Sequence, residues 1–334
     1  MGKKFLLCRP RGGLNDSLCQ IQRCFEYCRK HQRVLVLDSH RSGLRDDLFR
    51  YFEVVDTVVE TMTWAEFSQS HNADEVSIYP QQTQGRLDTY ETQLGESGIY
   101  FDTQNSVSLS FDFGKSYSED LLLHEACGGG INSVWLLKYL QPTPFLRQHL
   151  ETRLSALPTS YRAVHIRNTD LETDHNTLFH ELEFVLANQN VLFCTDSGKL
   201  QAKLKDAPPK GTTPYFLTSL DHSSNDRLHE SENTSIESNL DMLTDLFALA
   251  RAKKLYFTFT KAGYISGFSG LAFALHCSKL RNRVAPMENL SASNHIQTSH
   301  KSGAFRFLKA QAAIIAAKLA YRVLMGVHES WPSR

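Results

Sequence analysis

The chain has 334 residues, 41% apolar and 22% charged, which suits two folded domains of about 150 residues each and excludes a largely disordered protein. Thirty-six Lys and Arg offset thirty-six Asp and Glu, so no global field draws the protein to nucleic acid and any anion site must be local. The seven cysteines show no CxxC or Cys/His ligand spacing, which favours neither disulfides nor zinc and points to a reducing, cytoplasmic setting.

At the N-terminus only four apolar residues precede Arg9, too few for a signal peptide, and no run of about 18 apolar residues follows anywhere. Residues 5–8 read as a buried strand, Gly12 and Gly13 as a tight turn, 17–30 as a helix and 34–38 as a second strand: a β-α-β unit. Cys24 and Cys28, one helical turn apart, read as core thiols. Asp46 and Asp47 fall in a helical pattern, and 54–59 offers another strand. Residues 68–118 lack periodicity and read as an irregular insertion with short strands. His124 and Glu125 stand before Gly128, Gly129 and Gly130, either as an acceptor loop or as a helix end running into a flexible linker.

After a helical stretch at 134–154 and a break at Leu157-Pro158, the alternation restarts. It gives strands at 163–166, 191–194, near 215–217 and at 254–259, with helices at 178–186, 198–204, 239–252 and 269–277. The expectation is an α/β protein of two Rossmann-like domains, 1–157 and 158–290, followed by a basic tail at 291–334. That tail has no acidic residue between 289 and 328, while Arg306 and Arg322 flank an apolar periodicity. It is expected to pack back on the protein or to touch an anionic membrane surface, which would make the protein peripheral to the inner face of that membrane.

In open parallel sheets ligands bind beyond the carboxyl ends of the strands. Four such places carry suitable chemistry. Gly12 and Gly13 let backbone approach a ligand where a helix begins near Asn15 and Asp16. His165, Arg167 and Asp170 end the 163–166 strand, where a guanidinium can take two phosphate oxygens and Asp170 can hold it. Asp196 and Ser197 end the next strand, and Ser266, Ser269 and Gly270 open the last helix.

His165-x-Arg167-x-Thr169-Asp170 resembles the motif of the fucosyltransferase-like glycosyltransferases: α1,6-fucosyltransferases, nodulation fucosyltransferases and protein O-fucosyltransferases. The segments at 12–15, 193–197, 239–250 and 266–271 resemble further islands of that family, in the same order. The resemblance implies a GT-B fold, two Rossmann-like domains facing across a cleft, and inverting transfer from a GDP-sugar, most simply GDP-fucose, to a glycan or lipid-linked glycan hydroxyl. It implies no metal and no cofactor beyond the donor, with Arg167 on the diphosphate, Asp196 or the adjacent Ser197 on guanine, and Ser266, Ser269 and Gly270 near the phosphates. Asn168 stands where many members have a second arginine, and Asn15-Asp16 replaces the usual Gly-Asn-Gln. Asp241 reads as a helix N-cap. For the base the sequence offers Asp16, Glu172, Asp174 and His175, with Glu125 behind them. A same-fold transferase for another sugar nucleotide and a non-catalytic glycan- or nucleotide-binding protein are the alternatives.

Overall fold

The computed structural model describes residues 2–55, 58–72, 75–130, 133–169, 173–220, 235–259 and 265–277. Two all-parallel sheets organise them. The first has the order Thr61–Thr63, Val34–Leu37, Phe5–Pro10, Leu121–Ala126, Ile78–Tyr79. The second runs Thr213–Tyr215, Asn190–Thr195, Arg162–Ile166, Lys254–Phe257.

The sequence favours parallel sheets because its main strands carry runs of consecutive apolar residues, Phe5 to Cys8, Val34 to Leu37, Leu121 to Leu123 and Val191 to Cys194, rather than alternate ones. Phe5, Leu7, Val34, Val36, Leu121 and Leu123 fill one face of the first sheet, against Phe67. Leu6, Cys8, Leu35, Leu37 and Leu122 fill the other, in a core that continues through the helices to Ala163, Leu192 and Cys194 of the second sheet. Val164, Ile166, Val191 and Phe193 complete the second sheet's far face with Leu182 and Leu186. Direct contacts join the two halves. Asn239 Nδ2 donates to the Leu44 carbonyl at 2.8 Å and the Tyr51 hydroxyl at 3.0 Å, and the Phe52 and Phe247 rings lie 6.5 Å apart.

The first crossover helix, Leu14–His31, begins at Gly13 and ends on Gln32, whose φ of 53° is the left-handed stop that closes many helices. Cys24 and Cys28 are buried on it beside Cys8, and burial raises both thiols well above the usual range. They are core thiols.

Several expectations change. The 54–59 strand is two separate pieces: Phe52–Val54 pairs antiparallel with Leu140–Pro142, and Thr61–Thr63 joins the main sheet. The 134–154 helix is interrupted by that same Leu140–Pro142 strand, leaving Ser133–Leu137 and Pro144–Leu154. Pro144 starts the second helix, where its missing N–H has no partner to lose. Asp46 and Asp47 do not lie within a helix: Asp47 caps a three-residue 3₁₀ turn, Leu48–Arg50, and Asp46 takes the Tyr51 hydroxyl and Arg50. Asp241 lies inside the helix Ile236–Arg251, which Ser235 caps, and pairs with Arg153 at 2.9 Å. The 68–118 insertion carries a three-stranded antiparallel sheet, Thr92–Leu94, Tyr100–Asp102 and Val107–Ser108. His124 and Glu125 belong to neither a loop nor a helix: they lie near the end of the fully buried interior strand Leu121–Ala126. Among the described residues no helix is long and apolar enough to cross a membrane. Residues 278–334, including Arg306 and Arg322, lie outside the described residues.

Candidate functional site

The carboxyl edge of the second sheet gathers most of the residues singled out above. Arg167 directly follows the Arg162–Ile166 strand, and Asp196 directly follows its parallel neighbour Asn190–Thr195, so the register brings them together. Arg167 Nη1 lies 2.8 Å from Asp196 Oδ2, with only 16% and 5% of the two side chains exposed. Asp196 also accepts the Asn168 N–H at 2.7 Å and the Thr169 hydroxyl at 2.7 Å. The strand-end chemistry gives Asp170 the task of holding Arg167; here Asp196 does so, and Asp170 lies outside the described residues, as does Glu172.

Beside this pair, His165 Nδ1 and Ser269 Oγ are 2.7 Å apart, and Ser269 Oγ lies 2.8 Å from Ser266 Oγ. Burial, with the nearby Arg167 charge, lowers His165 to about 3, so the ring is neutral at physiological pH. It ties the strand to the start of helix Gly267–Cys277. Ser266 Oγ accepts the Ser269 N–H at 3.1 Å and the Ser266 carbonyl accepts the Gly270 N–H at 2.9 Å. Those two N–H groups are therefore occupied. The groups without an intrahelical acceptor belong to Gly267 and Phe268, at the positive end of an eleven-residue helix. Ser197 caps the helix Gly198–Asp206 through Leu200 N–H.

A carboxylate that the motif reading did not select lies under the same edge. Asp245 Oδ2 accepts the Thr218 hydroxyl at 3.2 Å, while buried Oδ1 has no hydrogen-bond partner among the described residues. Burial raises this carboxyl to about 7, against hydrogen bonds from Thr218 and Cys194 that lower it. A signal existed: Asp245 sits amid Leu243, Thr244, Ala248, Leu249 and Ala252, a carboxylate on the buried face of its helix.

The first sheet's carboxyl edge holds the other candidates. Gly12 has φ +81°, and a Cβ there would meet Asp16 Oδ2 at 2.9 Å, so the Asp16 carboxylate lies directly over the glycine. Gly13, by contrast, faces open space. Asn15 is buried, donating to the Gly130 carbonyl at 2.9 Å and accepting from Ser133 at 2.7 Å. A Cβ on Gly267 would come within 3.0 Å of Asn15 Nδ2, so the first and last helices meet at this point. Asp174 caps helix His175–Leu186, accepting the Thr177 N–H at 3.0 Å and hydroxyl at 2.6 Å; these bonds hold its carboxyl below the usual range. His175 is lowered by burial and by Lys203.

Glu125 is fully buried, taking the Tyr90 hydroxyl at 2.5 Å and Arg11 Nε at 2.6 Å. His124 bridges Ser110 and Gln20 and is lowered to about 3 by burial, so it fixes the strand rather than exchanging protons. Among the described residues no three of His, Cys, Asp and Glu converge as metal ligands.

Set against solved structures, the fold has counterparts. A crystal structure of fucosyltransferase NodZ from Bradyrhizobium matches over 82% of this chain and 93% of its own, with TM-score 0.56 and 16% identity. NodZ α-1,6-fucosyltransferase soaked with GDP-fucose matches over the same shares with TM-score 0.55 and 15% identity. The form co-crystallised with GDP gives TM-score 0.52 over 82% and 92% of the two chains, at 15% identity. The chain has a fucosyltransferase-like fold. No family model and no curated protein matches the sequence.

Proposed function

We propose that the protein is a GT-B glycosyltransferase that moves a sugar, most simply L-fucose, from a GDP-sugar to a glycan hydroxyl with inversion and without a metal. One observation carries this reading: Arg167 is clamped by Asp196 at a strand's carboxyl edge, two residues after His165, whose Nδ1 is 2.7 Å from Ser269 Oγ in the first turn of helix Gly267–Cys277. Departure of GDP places negative charge on the diphosphate, and a preorganised guanidinium with helix N–H groups stabilises that charge without reorganising. In this reading Arg167 and the N–H groups of Gly267 and Phe268 face the diphosphate, while His165, Ser266, Ser269 and Gly270 fix the turn that presents them. The halves at 1–157 and 158–290 are the acceptor and donor domains, with the tail at 291–334 packing back or resting on a membrane surface.

Two roles shift. Both Asp196 oxygens are engaged in positioning Arg167 and its turn, so the guanine edge is assigned to Asp245, whose Oδ1 is unpartnered among the described residues. Paired guanine N–H donors call for a carboxylate. For the base we favour Asp16: Asp174 is engaged as a helix cap with its proton affinity lowered, and Glu125 is enclosed by its donors. Asp16 would accept the acceptor hydroxyl's proton as the new bond to the anomeric carbon forms and the bond to the diphosphate breaks.

Titrating the purified full chain with GDP, UDP and CMP, then with their sugars in a transfer assay, tests the proposal. Preferential GDP binding and release of GDP with sugar transfer are expected. Tighter UDP binding would move the protein to another donor class, and nucleotide binding without turnover would leave a binding protein.

A further inference from the structure

Around Glu125 the fold assembles more positive charge than the carboxylate needs. Arg11 already satisfies it through Nε at 2.6 Å and Nη2 at 2.5 Å, and the Tyr90 hydroxyl adds a third donor at 2.5 Å. Arg9, buried nearby on the same Tyr90, is matched by Asp38 at 2.8 Å and by Asp88 at 3.5 Å. Arg41 then stands over the Tyr90 ring, 4.9 Å from its centroid, and only 3.5 Å from the carboxylate oxygen that Arg11 occupies. Among the described residues Arg41 makes no hydrogen bond, so its five N–H donors are unspent. Arg11 and Arg41 are 21% and 26% exposed, and Arg11 also rests on the Tyr100 ring. The result is an aromatic-backed guanidinium with unspent N–H donors at the mouth of a buried ion pair. Like charges held this close repel, and an incoming oxyanion would relieve that cost.

The position says whose anion it is. Arg11 follows the Phe5–Pro10 strand, Arg41 lies in the loop after Val34–Leu37, and Glu125 is in the last turn of pleat of Leu121–Ala126. All three belong to the carboxyl edge of the first sheet, which Gly12 and Asp16 share, and the Gly43 N–H bonds the Gly12 carbonyl at 2.8 Å. On the reading given above, that is the acceptor's side. We propose that Arg41, with Arg11, is a subsite for a singly charged oxyanion on the acceptor glycan, a sugar carboxylate or a phosphodiester. Arg11 is fixed by Glu125, and Arg41 supplies the free donors.

The test uses the full chain and three simple probes: methyl β-glucoside, methyl β-glucuronide, and methyl β-glucoside carrying a methyl phosphodiester at O6. Binding is followed by NMR titration, with GDP titrated in parallel. At least one acidic probe should bind about tenfold more tightly than the neutral one, and the preference should fade with added salt. The favoured acid identifies the anion. Arg41→Gln should abolish the preference, Arg41→Lys should retain part of it, and GDP affinity should stay unchanged in both. Arg41 is 26% exposed and makes no hydrogen bond among the described residues, so these variants keep the fold, whereas replacing Arg11 would strand the buried Glu125. Equal binding of all three probes, binding of none, or a preference that survives Arg41→Gln would overturn the subsite. Loss of GDP binding in the parent would instead remove the donor assignment, and the glycoside comparison would still decide the subsite.

Discussion

Asp196 Oδ2 reaches Arg167 Nη1 at 2.8 Å while Asp196 Oδ1 takes the Asn168 N–H at 2.7 Å, so one carboxylate fixes both the guanidinium and the turn that carries it. Arg167→Lys keeps the charge and removes the planar fork. An ordinary ion pair would lose under about 1 kcal/mol and little activity. A clamp on a diphosphate loses about 2–5 kcal/mol, which lowers kcat/KM by roughly 30-fold or more. GDP should weaken with it and guanosine should not. A folded Arg167→Lys protein that binds GDP like the parent would remove the main support for the donor site.

Two carboxylates compete for guanine, and guanosine separates them. Asp196→Asn frees Arg167, so GDP weakens while guanosine, lacking phosphates, binds as before. Asp245→Asn replaces an acceptor by an amide, so both ligands weaken, by about tenfold if one charge-assisted hydrogen bond is lost. The reverse pattern would return the base contact to Asp196, as the sequence resemblance implies.

Asp245 also sets a pH dependence. Its carboxyl is raised to about 7, so below that pH it carries a proton that guanine's N–H donors must displace. GDP affinity should therefore rise about tenfold per pH unit up to about 7 and level off above, and the slope should vanish in Asp245→Asn. Stability runs the other way. The native carboxyl keeps a proton that the unfolded chain gives up above about pH 4, so this group's contribution falls as pH rises to about 7. A GDP affinity that stays flat through neutral pH excludes Asp245 from the base contact.

The elements with strong periodicity were legible: the strands ending at Pro10, Ile166 and Thr195 and the helix Ile236–Arg251 fall close to where the sequence puts them. Leu121–Ala126 was missed because His124 and Glu125 look polar, and their partners, Gln20, Ser110, Tyr90 and Arg11, lie far away in sequence. The same holds for the Arg167 clamp. Asp170 is adjacent in sequence, but parallel register places Asp196 at hand, and register is a tertiary fact.

Treatment with EDTA should leave transfer intact, because charge on the departing diphosphate is assigned to Arg167 and the helix N–H groups. Activity lost with EDTA and restored by Mg²⁺ would show that a cation carries that charge instead.

The base assignment rests on Asp16, whose carboxylate is packed over Gly12 at the first sheet's carboxyl edge. Asp16→Asn preserves shape and removes proton acceptance, so turnover should fall by about 10² to 10⁴ with GDP affinity nearly unchanged. Asp174→Asn supplies the contrast. Its carboxylate holds Thr177 at the start of helix His175–Leu186, so that variant should melt earlier yet turn over like the parent. A second substitution checks the positioning of Asp16 independently. Gly12→Ala places a methyl 2.9 Å from Asp16 Oδ2 on a backbone with φ +81°, so it should displace the carboxylate and lower turnover without touching the second sheet. Near-normal turnover in Asp16→Asn, together with a loss in Asp174→Asn that exceeds its loss of stability, would transfer the role to Asp174.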